Sequence, residues 1–88
     1  MIRKIIIVEN KLGMHARPAT MIVKVATKYR SEFKIKKDDM EINGKSIMGV
    51  MTLAAEYKSE LELIAEGVDE EYLIEEIAEL FSSKFGEE

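Results

Sequence analysis

The sequence contains no cysteine and no tryptophan, and its 88 residues include a single histidine, a single proline and only six aromatic Phe or Tyr side chains. Without cysteine the chain can form neither disulfides nor thiolate metal sites, as is usual in a reducing compartment. One histidine also excludes a metal site built from several imidazoles. We therefore expect no metal and no other cofactor.

Long apolar segments are also missing. The longest apolar run, residues 5–8, is far shorter than the roughly 20 residues that a membrane-spanning helix needs. No basic and then apolar signal segment precedes it. We therefore expect a cytoplasmic protein with no membrane partner. An apolar content of 47% is enough for one compact domain over residues 1–88 and too little for two separate cores.

The charges are distributed unevenly along the chain. Residues 1–37 contain ten Lys or Arg and two acidic residues, whereas residues 38–88 contain three lysines and fifteen acidic residues. A basic segment of this kind attracts an acidic protein surface or a phosphate. The net charge of −4 disfavours a general nucleic-acid binder, and we expect no nucleic-acid partner.

The pattern of apolar residues predicts strands and helices in the order β-α-β-β-α-β-α. The predicted strands are IRKIIIV, SEFKIKK, MEI and ELELIAEG, of which the middle two form a hairpin. Helical spacing predicts a first helix over residues 16–29. Because each element has one apolar face, we expect an α+β fold of two layers, with the helices on one face of an antiparallel sheet.

The second and third predicted helices each have an expected N-cap and inner face. Ser46 is expected to cap the short second helix with its hydroxyl, and Asp69 to cap the third. The inner face of the second helix is predicted to comprise Ile47, Val50, Met51 and Ala54. That of the third is predicted to comprise Leu73, Ile77, Leu80 and Phe81.

The only histidine lies in the segment GMHARPAT, at the predicted start of the first helix. A proline is tolerated in the first turn, so Pro18 indicates that the helix begins near Ala16. His15 then lies at or just before the N-cap, where the outward N–H groups of Ala16 and Arg17 favour an anion. A phosphate on the ring would also meet the Arg17 guanidinium, which favours a covalent phosphoryl carrier. A lone histidine at this place is more commonly a surface residue or a cap, and spacing alone does not decide between these interpretations.

Two long motifs carry a resemblance to a known family. GMHARPAT, together with NGKSIMGVMTLAA thirty residues later, resembles the HPr family, the histidine-containing phosphocarrier proteins of the bacterial sugar phosphotransferase system. The resemblance covers the whole chain. It implies an open-faced β-sandwich, in which three helices cover one face of a four-stranded antiparallel sheet with the order 1-4-2-3.

The resemblance also implies a function for the histidine. His15 would accept a phosphoryl group from phosphorylated enzyme I, which draws it from phosphoenolpyruvate, and pass it to the IIA domain of a sugar permease. Arg17 would be the charge partner of the phosphate. Such a carrier is a substrate of phosphotransferase enzymes and not itself an enzyme. We expect it to be a monomer.

Ser46 matches a second functional position of the family. In bacteria that possess an HPr kinase/phosphorylase, this serine is phosphorylated at the expense of ATP. The added charge would weaken transfer through His15 and create an epitope for a transcriptional regulator. The alternative is that Ser46 only caps the helix. The sequence of the carrier does not tell whether its source possesses the kinase, so both interpretations stay open.

An exposed methionine points to a surface for docking partners. Met48 lies about 100° away from the predicted inner face of its helix and is expected to face water. Flexible thioethers adapt to several partners, although a stray surface methionine is the alternative. The predicted docking residues are Thr20, Met21, Lys24, Lys45, Ile47 and Met48, with Arg17, Lys24 and Lys45 forming a basic rim.

Two other classes of function are also compatible with the sequence. An HPr-like carrier or binding module could serve nitrogen or carbon regulation without sugar transport, and such a carrier would retain His15. A small module that binds RNA or a metabolite would need exposed aromatic residues on its sheet or a net basic surface. The predicted strands offer chiefly lysine and glutamate there.

Overall fold

Residues 1–87, which the computed structural model describes, form a four-stranded antiparallel sheet with three α-helices on one face. The strands are β1 (Ile2–Ile7), β2 (Glu32–Lys37), β3 (Met40–Asn43) and β4 (Glu60–Glu66). The helices are α1 (Ala16–Ala26), α2 (Ile47–Thr52) and α3 (Glu70–Ser82), and a 3-10 turn (Lys84–Gly86) follows α3. The predicted order of elements and the α+β class are confirmed.

The sheet has the strand order β1-β4-β2-β3 that the family resemblance implies. Strand β4 pairs on both sides: Ala65 lies opposite Ile2 of β1 and opposite Phe33 of β2. β2 and β3 form the predicted hairpin, with Ile35 opposite Ile42. The alternating residues Leu61, Leu63 and Ala65 of β4 are buried, as their spacing predicts. The helices cover this apolar face, and none of those formed by residues 1–87 is long and apolar enough to cross a lipid bilayer.

Helix α1 ends at Ala26, three residues before the predicted end at Tyr29. The Lys28 and Tyr29 N–H groups donate to the carbonyls three residues earlier, which is the pattern of a tightened last turn. Both side chains also bind the Glu76 carboxylate of α3, with the Lys28 Nζ at 2.9 Å. The hydrogen bond to Glu76 raises the pKa of the Tyr29 hydroxyl to about 12. Tertiary contacts with α3 therefore accompany the early end of the helix.

The predicted inner face of α2 is largely wrong. Of its four residues only Val50 is buried, whereas Ile47 and Met51 are 41% and 43% exposed. The fourth, Ala54, lies beyond the end of the helix with a positive φ of 49°. A helix of six residues has room for little more than one inward turn. Val50, together with Leu53 just after the helix, fills that space.

The inner face of α3 differs from the prediction at one residue. Leu73, Ile77 and Phe81 are buried as predicted, but Ile74 is buried where Leu80 was expected. Leu80 is only partly buried and packs against the edge of the core.

Asp69 precedes α3 as predicted, but its side chain does not cap the helix. The carboxylate instead accepts hydrogen bonds from the Ser31 hydroxyl and from the N–H groups of Arg30 and Ser31, both N–H bonds at 2.9 Å. These bonds, led by that of the Ser31 hydroxyl, lower the pKa of Asp69 to about 2. The aspartate thus joins the start of α3 to the segment before β2.

The chain after α3 turns back toward the start of α1. Lys84, Phe85 and Gly86 have φ values of 57°, 57° and 71°, so three successive residues lie in the left-handed region. Phe85 is fully buried and packs edge-to-face on Phe81, with the ring centroids 4.9 Å apart. Burial of this aromatic ring anchors the turn, which places Glu87, the residue after Gly86, toward the start of α1.

Candidate functional site

His15 is the N-cap residue of α1, as predicted. Its backbone is extended, with φ −85° and ψ −171°, and its side chain makes no capping hydrogen bond. Its carbonyl accepts the Ala19 N–H at 3.1 Å, which closes the first turn of the helix. The side chain is 37% exposed, so the imidazole stands at the surface, where another protein can reach it.

The start of α1 presents two free backbone donors beside this ring. Within residues 1–87, the N–H groups of Ala16 and Arg17 have no hydrogen-bond acceptor. The third position is Pro18, which has no N–H and is buried. Free N–H groups and the positive end of the helix dipole together favour an anion at this place.

The loop before α1 is fixed to the segment that follows α2. The Met14 N–H donates to the Ala55 carbonyl at 2.9 Å, and the Met14 side chain is buried in the core. Gly13 has a φ of +72°, and a Cβ atom there would lie 2.7 Å from the same Ala55 oxygen. Only glycine fits this combination of backbone conformation and close approach. The position of His15 is therefore set by the core rather than by a free loop.

Arg17 lies beside the histidine, as the proposed charge partner of a phosphate must. Its side chain is exposed, and its Nη1 donates to the Phe85 carbonyl at 2.9 Å. Nη1 also lies 3.5 Å from Oε2 of Glu87, the carboxylate oxygen that contacts His15. The guanidinium is thus held next to the imidazole by the turn that follows α3.

Glu87 is a residue of the site that the sequence analysis missed. Its Oε2 lies 2.7 Å from Nε2 of His15, and its Oε1 accepts a hydrogen bond from Nδ2 of Asn10 at 3.2 Å. It is one of fifteen acidic residues in the second half of the chain, and nothing in its local sequence distinguishes it. Only the tertiary structure joins it to a histidine 72 positions away.

Ser46 is the N-cap of α2, as predicted. Its Oγ accepts the Gly49 N–H at 3.0 Å, and the side chain is only partly buried. Within the described residues, no hydrogen bond or ion pair joins Ser46 to His15 or Arg17. The two residues lie at the starts of two different helices, α1 and α2, which pack against each other.

The predicted docking residues differ in exposure. Met48 is 80% exposed, as predicted, and Lys24 is also exposed. Thr20 is partly buried and donates to the Ala16 carbonyl at 2.8 Å, and Met21 is partly buried against the core. The Lys45 ammonium donates a hydrogen bond to the Tyr29 carbonyl at 2.8 Å. It is therefore less available to partners than the predicted basic rim requires. No three acidic or histidine side chains among residues 1–87 lie close enough together to hold a metal ion.

Comparison with known proteins gives matches over nearly the whole chain. The family model described as the PTS HPr component phosphorylation site matches residues 2–83. The phosphocarrier protein HPr of Treponema pallidum is 47% identical over 88 residues, which cover 100% of both chains. The crystal structure of HPr-C-His from Thermoanaerobacter tengcongensis is similar with a TM-score of 0.96 at 44% identity, covering 100% of this chain and 99% of that one.

Some of the similar structures are described as dimers. One is the HPr dimer from Thermoanaerobacter tengcongensis, with a TM-score of 0.80 at 45% identity over 93% of this chain and 94% of that one. Another is Crh of Bacillus subtilis, described as a swapped dimer, with a TM-score of 0.77 at 37% identity over 96% and 97% of the two chains. These dimers do not fit the monomer that the sequence led us to expect.

Proposed function

This chain belongs to the HPr family, the phosphocarrier proteins of the bacterial phosphotransferase system, and we propose that His15 is the residue that carries the phosphoryl group. Members of this family are phosphocarriers and not catalysts. The donor is phosphorylated enzyme I, which takes the group from phosphoenolpyruvate. The acceptor is a histidine on the IIA domain of a sugar permease.

One observation carries the proposal: a partly exposed imidazole stands at the N-cap of α1, beside two free N–H groups and a guanidinium. Phosphoryl transfer depends mostly on positioning and on stabilising the charge of the phosphoryl oxygens. The Ala16 and Arg17 N–H groups and the Arg17 side chain supply donors for those oxygens. This chain therefore needs no metal of its own for its part in the transfer.

The transfer consists of two displacements at phosphorus. In the first, a ring nitrogen of His15 attacks the phosphoryl group, and the bond from phosphorus to the donor breaks with its electron pair staying on the donor. In the second, the acceptor on the IIA domain attacks, and the electron pair of the broken bond returns to the His15 nitrogen. The carrier is thus restored at the end of each cycle.

Ser46 is a regulatory phosphorylation site in this proposal. Its hydroxyl is partly exposed and already accepts the Gly49 N–H, so phosphate oxygens can take over that bond without unfolding α2. The added charge lies on the same helix as Met48 and repels acidic partner surfaces. HPr kinase/phosphorylase is the modifying enzyme, and a transcriptional regulator is the partner that reads the modified form.

Partners dock on the surface formed by Thr20, Met21, Lys24, Lys45, Ile47 and Met48, which we name the docking surface. Its centre is apolar at Met48 and Ile47, both exposed, and the unbranched Met48 side chain can adapt to different partners. Arg17, beside His15, and the exposed Lys24, in the last turn of α1, add positive charge at the margin. Such a combination suits several partners that are each negatively charged around an apolar centre.

A second candidate is a carrier devoted to regulation rather than sugar transport. The chain is 40% identical to the HPr-like protein Crh of Bacillus subtilis over 78 residues, which cover 89% of this chain and 92% of that one. That protein is described as a catabolite repression HPr. Retention of His15 favours the phosphoryl relay over a module regulated through Ser46 alone.

The experiment that tests the main proposal is phosphorylation by enzyme I. Incubation with enzyme I, magnesium and phosphoenolpyruvate should attach one phosphoryl group per chain, labile in acid and stable in base. The His15→Ala variant should attach none. A His15→Ala variant that still gained the acid-labile label would refute the site.

A further inference from the structure

The two ring nitrogens of His15 have different surroundings. Nε2 lies 2.7 Å from Oε2 of Glu87. Nδ1, which is nearer to the backbone, makes no hydrogen bond within residues 1–87. Glu87 itself lies outside residues 2–83, the part that the family model matches.

An ionised carboxylate can only accept hydrogen bonds, because it carries no hydrogen. The bond between Glu87 and His15 therefore requires that Nε2 carry the ring hydrogen. In the neutral imidazole the other nitrogen then holds the free electron pair. Nδ1 is thereby left as the nucleophile, on a ring that stands beside the free Ala16 and Arg17 N–H groups.

Glu87 is held in place from two sides. Asn10, only 1% exposed, uses Nδ2 to bridge the Gly13 carbonyl at 2.7 Å and Oε1 of Glu87 at 3.2 Å. On the other side, the buried Phe85 anchors the left-handed turn immediately before it. The Glu87 side chain is only 17% exposed. A carboxylate with these supports is fixed against the ring rather than free to move in solvent.

We propose that Glu87 is a positioning residue for phosphoryl transfer, an inference that rests on the proposed function of His15. Its carboxylate holds the hydrogen on Nε2, orients the ring and stabilises the positive charge that the imidazole gains during attack. In this step the Nδ1 electron pair forms the new bond to phosphorus. The bond to the donor breaks, its electron pair stays on the donor, and Nε2 keeps its hydrogen.

The first test is independent of phosphoryl transfer and uses nitrogen-15 NMR of the ring. In the wild-type protein, the couplings of the ring nitrogens should place the hydrogen on Nε2, and its signal should be protected from exchange with water. Glu87→Gln, whose carbonyl oxygen still accepts, should retain the signal. Glu87→Ala should lose it. An equally protected signal in Glu87→Ala overturns the inference.

The second test is the rate at which enzyme I transfers its phosphoryl group. In Glu87→Ala the maximal rate should fall about tenfold, the size expected for one lost hydrogen bond to a charged group, with the KM for the carrier unchanged. Glu87→Gln should be intermediate. Glu71→Ala, which removes the same charge from the exposed start of α3, should equal the wild type.

The possible outcomes separate this inference from the proposed function. If the wild-type protein takes up a phosphoryl group and Glu87→Ala takes it up as fast or faster, Glu87 only occupies space that the phosphoryl group needs, and the inference is wrong. If the wild-type protein takes up no phosphoryl group, the proposed function fails and the inference fails with it. A lower maximal rate of transfer to Glu87→Ala, with an unchanged KM, supports both the proposed function and the role of Glu87.

Discussion

Nη1 of Arg17 donates a hydrogen bond to the carbonyl oxygen of Phe85, at 2.9 Å and 68 positions later in the chain. This bond holds the guanidinium next to His15, where we propose that the phosphoryl group binds. A long side chain normally loses conformational entropy when it binds an anion, and this loss opposes binding. Here the fold has restricted the side chain in advance, and the turn after α3 is part of the site for that reason.

Replacement of Arg17 by alanine should slow phosphoryl transfer without unfolding the protein. Loss of one fixed donor should reduce the maximal rate by about 100-fold, whereas the lost hydrogen bond of an exposed side chain should cost about 1 kcal/mol of stability. Arg17→Lys should be intermediate, because lysine keeps the charge but not the planar fork. Rapid-quench kinetics and urea unfolding measure the two quantities. Equal transfer rates for wild type and Arg17→Ala would remove Arg17 from the mechanism.

Replacement of Asp69 by asparagine should lower the melting temperature at pH 7. The Asp69 carboxylate has a pKa of about 2 in the folded protein and 3.8 ordinarily. A carboxylate with a lowered pKa stabilises the fold above its ordinary pKa, and that contribution is lost as the pH falls through the folded value. The difference in melting temperature should therefore shrink between about pH 4 and about pH 2. Calorimetry over this range checks the prediction, and a difference that stays constant down to pH 2 contradicts it.

Replacement of Met48 by aspartate should weaken partner binding and leave the fold intact. Because the side chain is 80% exposed, stability should change by less than about 0.5 kcal/mol. A negative charge at the centre of the docking surface should raise the Kd for enzyme I by about tenfold or more. Tyr72→Asp, which places the same charge on the exposed side of α3, is the matched control. Titration calorimetry measures the affinity, and equal Kd values for the two variants would exclude Met48 from the interface.

Two substitutions at Ser46 should separate its capping role from its regulatory role. Ser46→Ala loses the hydrogen bond to Gly49 and should cost about 1 kcal/mol of stability, with little effect on transfer. Ser46→Asp keeps a capping oxygen and adds a charge, so it should retain stability and slow transfer. Urea unfolding and the rate of phosphorylation by enzyme I make the comparison. Transfer rates that fall equally in both variants would show that only the cap matters.

The sequence predicted correctly those features that depend only on residues close together in the chain. Pro18 fixed the start of α1 at Ala16, because a proline fits only the first turn. Ser46 capped α2 because its hydroxyl needs only a backbone N–H three residues ahead. Alternation in β4 predicted the buried face of the sheet, since successive side chains of a strand point to opposite sides.

The errors arose where distant parts of the chain compete with local preferences. Asp69 resembles an N-cap in sequence, yet the Ser31 hydroxyl and two N–H groups across the fold bind its carboxylate instead. Periodicity extended α1 to Tyr29, but the backbone tightens after Ala26, where the Lys28 and Tyr29 side chains bind Glu76. Glu87 has no local signal, because the left-handed turn that brings it to His15 depends on where Phe85 is buried.

The hydrogen bond from the Met14 N–H to the Ala55 carbonyl connects two functional regions. It joins the loop that bears the imidazole to the segment that follows α2, and α2 begins after Ser46 and contains Met48. We therefore expect a protein that binds α2 to restrict the motion of the His15 loop as well, even where it makes no contact with the imidazole.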